Sequence, residues 1–153
     1  MTPIPTIDDA VVALDAKIHA GDFWSSLEVL RTELTRKQWI ESVVPVLIAA
    51  FHQLRRARGR NEIMFELIKF AKVTPEVVEL ALQALNDRAF LVRVQACAAL
   101  AYSEQIETVS ALKQLLQHDD PKTRQNADAA IDAIENHNHY FSVNETWPGP
   151  ADD

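Results

Sequence analysis

The chain has 153 residues, 48% of them hydrophobic, and a formal net charge of −7. This length suits one domain with a buried core, and the acidic charge disfavours nucleic acid and favours basic protein partners. No apolar run reaches the roughly 18 residues of a membrane span, and the first ten residues lack a signal segment. With Cys97 as the single cysteine, the sequence predicts a cytoplasmic protein with no disulfide and no membrane partner.

The first third of the chain predicts three helices. Residues 7–21 and 22–34 each repeat apolar side chains at steps of three and four, which is typical of amphipathic helices. Thr35 and Gln38 have the spacing of a capping box, which opens a third helix. Pro45 lies inside that helix and lacks an amide hydrogen, so we expect a kink or break just before it.

Four arginines fall within residues 55–60, RRARGR. We interpret them as the C-terminal end of the third helix, where cations complement the helix dipole, with Gly59 behind them. Asn61 then caps a fourth helix. A site for phosphate or for an acidic partner is the alternative interpretation of this run.

The second half of the chain repeats itself with a shift of 31 residues. Arg93 falls on Arg124, and Leu100 falls on Ile131. Each unit reads as a helix, a turn that contains Asp and Arg, and a second helix rich in alanine. Self-similarity at this period indicates stacked helix pairs. The sequence therefore predicts an all-α fold, an α-solenoid of about four antiparallel helix pairs.

Segments 87–100 and 118–131 resemble bacterial HEAT-like repeats, of the short type also found in phycobilin lyases. The shared pattern is an acidic residue in the turn, an aliphatic residue, Arg, and then Ala-x-x-Ala-Leu. Thr123 replaces the aliphatic residue in the second segment. Residues 36–72 resemble a degenerate unit, with Glu62 where the arginine is expected. The resemblance implies a curved stack, in which turn Asp and helix Arg pair between adjacent repeats and the second helices line a concave, partner-binding face.

The domain prediction is one HEAT-like repeat domain over residues 1–137 and a partly disordered capping tail over 138–153. An end repeat leaves an apolar face without a neighbour, and repeat arrays need a cap there. We expect Tyr140 and Phe141 in the tail to fold back over that face.

Signals for catalysis and cofactors are weak. The chain has no His-Glu dipeptide of the kind that iron-binding hydroxylases of this architecture use, and its three glycines stand apart. Cys97 has no placed His and Asp partners, which nucleophilic catalysis would need. His137 and His139 could offer two metal ligands, but this spacing alone is a weak signal. The sequence therefore predicts no enzyme activity, no cofactor and no metal.

The candidate partner-binding residues are the positions about half a turn away from the inward side chains of the second helices. They are Glu62, Glu66, Arg88, Leu91, Gln95, Tyr102, Asp119, Lys122 and Asn126. Leu91 and Tyr102 are apolar or aromatic where solvent is expected. They are either anchors for a partner or residues that the tail covers, and the sequence leaves both readings open.

The functional prediction is a non-catalytic protein-binding module that docks on or blocks a basic protein partner through its concave face. An immunity protein that neutralises a toxin is the specific hypothesis. The alternative is a lyase-like or chaperone-like subunit that handles a pigment or cofactor in the groove. A pocket lined by carboxylate, Tyr and His would favour the alternative, and an open charged groove would favour the module.

Overall fold

A computed structural model of the chain describes residues 16, 18–21, 27–28, 30–32 and 34–138. All of the regular structure in these residues is helical, and none of them lies in a strand, which confirms the all-helical prediction for this part of the chain. None of the described helices is long and apolar enough to cross a membrane. The predicted helices over residues 7–21 and 22–34 lie largely outside the described residues. The chain divides into two compact units, Met1–Ile63 and Met64–Asp153.

The described helices of the first unit begin at the predicted capping box. Helix α1 is Arg36–Gln38, a π-helical turn follows over Trp39–Val43, and α2 is Val44–Gln53. The Thr35 Oγ1 accepts a hydrogen bond from the amide of Gln38 at 3.2 Å, and the amide of Thr35 donates to Gln38 Oε1 at 2.9 Å. This reciprocal pair satisfies two amides that a helix start leaves without intrahelical partners. The capping-box prediction is confirmed.

Pro45 lies directly after the π-helical turn, in the first turn of α2. A proline inside an α-helix lacks an amide hydrogen and crowds the carbonyl four residues earlier, here that of Glu41. The wider π-helical turn changes the hydrogen-bond register where that carbonyl would clash. The helix is therefore irregular before Pro45, as predicted, but it continues through a local π-helical turn and does not break.

Helix α3 spans Ala57–Leu67, so it begins four residues before Asn61 and contains Gly59. A Cβ at Gly59 would lie only 2.9 Å from Leu54 Cδ1, which shows how closely Leu54 packs over this glycine. Gly59 is therefore a close-packing position rather than a helix stop. The interpretation of the arginine run as a helix C-terminus is wrong, because α2 ends at Gln53 and the run begins the next helix.

The second unit contains two helix pairs. Its elements are a 3₁₀ turn at Ile68–Phe70, α4 at Pro75–Ala84, α5 at Phe90–Ser103, a 3₁₀ turn at Ile106–Thr108, α6 at Val109–Leu115 and α7 at Pro121–Asn136. Helix α5 packs against α4, α7 and the first 3₁₀ turn, and α6 packs against α7. The helices α5 and α7 are the second helices of two consecutive repeats.

Two helices of the second unit begin with a proline in the first turn. Thr74 is the N-cap of α4, although its hydroxyl makes no capping bond. Asp120 caps α7 by accepting from the Lys122 amide at 3.2 Å. Helix α5 continues to Ser103, and regular structure resumes at Ile106, which is exposed.

Helix α5 is buried without interruption from Val92 to Ala101. Small alanine side chains let the neighbouring helices approach it on several sides, which explains the alanine-rich pattern. Cys97 lies in this buried stretch, and burial raises the pKa of its thiol to about 12, against a smaller lowering by the Arg93 charge. The thiol therefore stays protonated near neutral pH, as expected for a packing residue.

Candidate protein-binding surface

Three arginines, Arg60, Arg93 and Arg124, make the same contact with the turn that precedes their helix. In each case Nη1 donates a hydrogen bond to the backbone carbonyl six residues earlier. The acceptors are Leu54 at 3.1 Å, Asp87 at 2.9 Å and His118 at 2.6 Å. Arg60 and Arg124 also donate to the carbonyl five residues earlier, at 2.6 and 3.0 Å. The turn carbonyls are thus satisfied by a charged donor, which is a strong form of hydrogen bond.

Arg60 corrects the register of the degenerate repeat. It stands seven residues before Leu67, as Arg93 stands seven residues before Leu100. The prediction that Glu62 takes the arginine position is therefore wrong. Arg60 takes this position and is the third of the turn-binding arginines, which the sequence pattern did not predict. In the corrected register Glu66 takes the place of the buried alanine Ala99. The repeat pattern is only partly present in this segment. Arg60 is followed seven residues later by Leu67, but the two alanines that the pattern places between them are absent.

Arg93 also joins its own repeat to the next one. Its Nε donates to Thr123 Oγ1 at 3.0 Å, and its Nη2 lies 3.4 Å from Asp120 Oδ2. The Thr123 hydroxyl in turn donates to Asp120 Oδ2 at 2.7 Å. The guanidinium is buried, so these bonds replace the water it has lost. The expected pairing of helix Arg with the next turn's Asp is confirmed, and Thr123 supplies a bond that an aliphatic residue could not.

We expect this network to make stability depend on pH. The Thr123 hydroxyl, the amides of Lys122 and Thr123, and the Arg93 charge lower the pKa of the Asp120 carboxyl. Because the folded-state pKa lies below the unfolded value of about 3.9, the contribution is fully present above that pH. It is lost as the pH falls through the folded-state pKa.

The measurement is urea denaturation of the wild type and of Asp120→Asn from about pH 6 down to about pH 3. The difference in unfolding free energy should shrink as the pH falls. Asp119→Asn is the matched control, because the Asp119 side chain is outside the network. A difference that stays constant with pH would show that the Asp120 charge is irrelevant.

The nine candidate partner-binding residues divide by exposure. The structure exposes Arg88, Leu91, Tyr102, Asp119 and Lys122, and partly exposes Glu62, which belongs to the first unit. It buries Glu66, Gln95 and Asn126, contrary to their expected outward position. Glu66 replaces a core alanine and pairs with Lys69 at 3.1 Å, and the Asn126 amide donates to the Lys122 carbonyl at 2.8 Å.

Leu91 and Tyr102 immediately flank the buried stretch of α5, with 55% and 44% of their surfaces exposed. Eleven residues correspond to slightly more than three helical turns, so both lie on one face, about 16 Å apart along the axis. Gln95 and Ala98 lie between them on that face and are buried. The face therefore has a recessed centre with an exposed apolar side chain at each end. Lys72 Nζ lies 5.1 Å from the centre of the Tyr102 ring.

Helix α7 has a polar face where α5 has a buried one. Three exposed residues of α7 correspond, after a shift of 31, to three buried residues of α5. The pairs are Gln125 with Val94, Asp128 with Cys97, and Asp132 with Ala101. A terminal repeat with a polar outer face needs no further neighbour. This differs from the expected apolar end face, and Tyr140 and Phe141, which were to cover it, lie outside the described residues.

Each unit contains a cavity that is lined by described residues. The cavity in the second unit, of about 310 Å³, is lined by aliphatic and amide side chains and His118. The cavity in the first unit, of about 590 Å³, is lined partly by arginines. Among the described residues, no group of three or more His, Cys, Asp or Glu side chains could hold a metal ion. His139, half of the weak histidine pair, lies outside them.

Residues 78–138 match the family model of HEAT repeats. This segment holds the two repeats that carry Arg93 and Arg124, so the match falls on the part with the clearest internal repetition. It supports the interpretation of the chain as a HEAT-like helical-repeat protein. A search of curated proteins and a search of solved structures found no match. The bacterial, phycobilin-lyase-like subtype stays a prediction from the sequence.

Proposed function

We propose that the chain is a non-catalytic protein-binding module that docks on or blocks a basic protein partner. HEAT repeats generally mediate protein–protein interaction, which is compatible with this role. The observation that carries the proposal is the exposure of Leu91 and Tyr102 on a helix that is otherwise buried between them. Exposed apolar and aromatic side chains around a recess are the kind of residues that anchor an interface.

The proposed contact face comprises exposed residues of the second helices α5 and α7 and of the turns before them. Its members are Arg88, Leu91, Tyr102, Asp119 and Lys122. Glu66, Gln95 and Asn126 are buried, so we assign them to the support of this face rather than to direct contact. The curved stack of about four helix pairs, with this face on its concave side, stays part of the proposal.

The expected charge of the partner follows from the acidic composition of the chain and not from the contact face itself, which carries Arg88 and Lys122 against Asp119. Residues 61–153 contain 15 Asp or Glu and 7 Lys or Arg, and the whole chain carries −7. A field of this sign raises the association rate of a cationic partner and disfavours nucleic acid. An immunity protein that neutralises a basic toxin domain in the cytoplasm is the specific case we propose within this class.

A pigment- or cofactor-handling subunit remains the alternative from the sequence. A pocket that combines carboxylate, Tyr and His side chains would favour this alternative. Neither described cavity has this combination: one lacks both carboxylate and tyrosine, and the other lacks tyrosine. We therefore base the experiments on the protein-binding role.

The first test removes the two exposed anchors by Leu91→Ser with Tyr102→Ser. We expect a partner captured by the immobilised wild type to bind this variant about tenfold more weakly or worse, because each buried anchor contributes about 1.5 to 3 kcal/mol. The matched control is Val73→Ser with Ile106→Ser, which removes two equally exposed apolar side chains from turns. Mass spectrometry identifies the partner, and surface plasmon resonance measures its affinity.

The role would be contradicted if the control weakened binding as much as the anchor variant, or if the purified chain turned over a small molecule. A salt series on the same complex tests the charge of the partner. Association should slow as salt screens the field, with a Debye length of about 8 Å near physiological ionic strength. An association rate independent of salt would show that the partner need not be basic.

A further inference from the structure

The cavity in the first unit combines basic and apolar walls. Its volume of about 590 Å³ lies within the range of small-molecule sites. Arg55, Arg56 and Arg58 contribute three guanidinium-bearing side chains, and Glu62 contributes one carboxylate. The apolar part of the wall is formed by Ile18, Ala20, Gly21, Leu54 and Gly59, and His19 also lines the cavity. In an acidic protein this is a local concentration of positive charge.

The charges in this cavity do not balance. Arg58 Nε lies 3.3 Å from Glu62 Oε1, so these two groups neutralise each other. The side chains of Arg55 and Arg56 form no ion pair or hydrogen bond within the described part of the chain. Because arginine stays protonated in proteins, two exposed positive charges remain without an ion-pair partner among the described residues.

The fold does not require arginine at these two positions. Arg60 holds the Leu54–Arg56 turn through backbone carbonyls, just as Arg93 and Arg124 hold their turns. In those two turns the residues equivalent to Arg56 are Ala89 and Asp120, and those equivalent to Arg55 are Arg88 and Asp119. The same turn therefore forms with a neutral or an acidic residue. Arg56 and Arg58 also stand at the start of α3, where positive charge opposes the helix dipole.

We propose that this cavity binds a phosphate dianion, either free or as the phosphate ester of a small molecule. The two uncompensated guanidiniums match the two charges of the dianion, and arginine forms bidentate hydrogen bonds with phosphate oxygens. The apolar wall provides a surface for the organic part of an ester. This ligand site is separate from the proposed protein-binding face, because it lies wholly within the first unit.

The experiment titrates the full chain with inorganic phosphate and with glycerol 3-phosphate, followed by calorimetry at constant ionic strength. We expect millimolar or tighter binding by the wild type and about tenfold weaker binding by Arg55→Gln with Arg56→Gln, which lacks the charged hydrogen bonds. The matched control is Arg36→Gln with Lys37→Gln. It removes the same charge from exposed residues that begin α1 and do not line the cavity.

A second measurement keeps the test independent of the variants. Phosphate should shift the amide resonances of residues 18–21 and 54–62 in the NMR spectrum of the wild type. If the ester binds more tightly than inorganic phosphate, the ligand of the cavity is an organic phosphate. If the two probes bind equally, the ligand is free phosphate.

The proposal is overturned if neither probe binds at millimolar concentration. It is also overturned if the two double variants weaken binding equally, or if the shifted resonances lie outside these residues. None of these results bears on the protein-binding role, which uses other side chains and another unit. Failure of the two proposals is therefore distinguishable.

Discussion

Replacing Arg93 by alanine is expected to lower the free energy of unfolding by about 3 kcal/mol. The side chain is only 7% exposed and serves three acceptors, which are the Asp87 carbonyl, Thr123 Oγ1 and Asp120 Oδ2. Its removal takes a charged donor from the partly buried Asp87 carbonyl and removes the link to the turn of the next repeat. Urea denaturation followed by circular dichroism measures the loss.

Two variants make this prediction specific. Arg124→Ala should cost less, about 1 kcal/mol, because the hydrogen bonds of Arg124 reach only the carbonyls of its own turn and its side chain is more exposed. Arg93→Lys should recover little, since a lysine ammonium cannot reproduce the planar fork of donors. If Arg93→Ala unfolds like the wild type while partner capture fails, Arg93 is a binding residue and the structural assignment is wrong.

Replacing Arg60 by alanine is expected to destabilise the first unit by about 2 kcal/mol, because a buried charged donor to two carbonyls is lost. Only 8% of the Arg60 surface is exposed, and its acceptors are the carbonyls of Leu54 and Arg55. These carbonyls belong to the turn that presents Arg55 and Arg56. Phosphate binding should therefore weaken in the same variant, although Arg60 does not line the cavity.

Arg58→Ala is the comparison for stability. Its side chain is highly exposed and its pair with Glu62 should contribute less than about 1 kcal/mol. Chemical denaturation monitored by NMR peaks of the first unit separates the two variants. Equal stabilities of Arg60→Ala and Arg58→Ala would show that the turn does not depend on the buried arginine.

The features that the sequence predicted well are those decided by local chemistry. The Thr35 and Gln38 capping box and the irregular turn before Pro45 depend on residues within one or two turns of each other. The resemblance to HEAT-like repeats likewise predicted that a helix Arg pairs with the turn Asp of the adjacent repeat, as Arg93 does with Asp120. In such segments the side-chain pattern and the fold agree at every position.

The predictions that failed required knowledge of neighbouring helices. Gln95 and Asn126 were predicted to be exposed because they lie half a turn away from the inward residues of their helices. Both are buried, because neighbouring helices approach more closely than the pattern of a single helix can indicate. The degenerate repeat was misaligned because Glu66 occupies an alanine position and an extra two residues separate Arg60 from Arg93. The cavity joins residues 18–21 to residues 54–62, a pairing for which the sequence contains no pattern.

The polar face of α7 determines what can follow it. A copy of the chain that stacked its first helices against α7 would bury Asp128 and Asp132 without counterions, which is energetically costly. Head-to-tail association of repeat proteins produces open filaments when nothing stops it. The carboxylates of α7 therefore act against end-to-end polymerisation at this helix. Extension of the array by a further repeat would first require apolar residues at positions 125, 128 and 132.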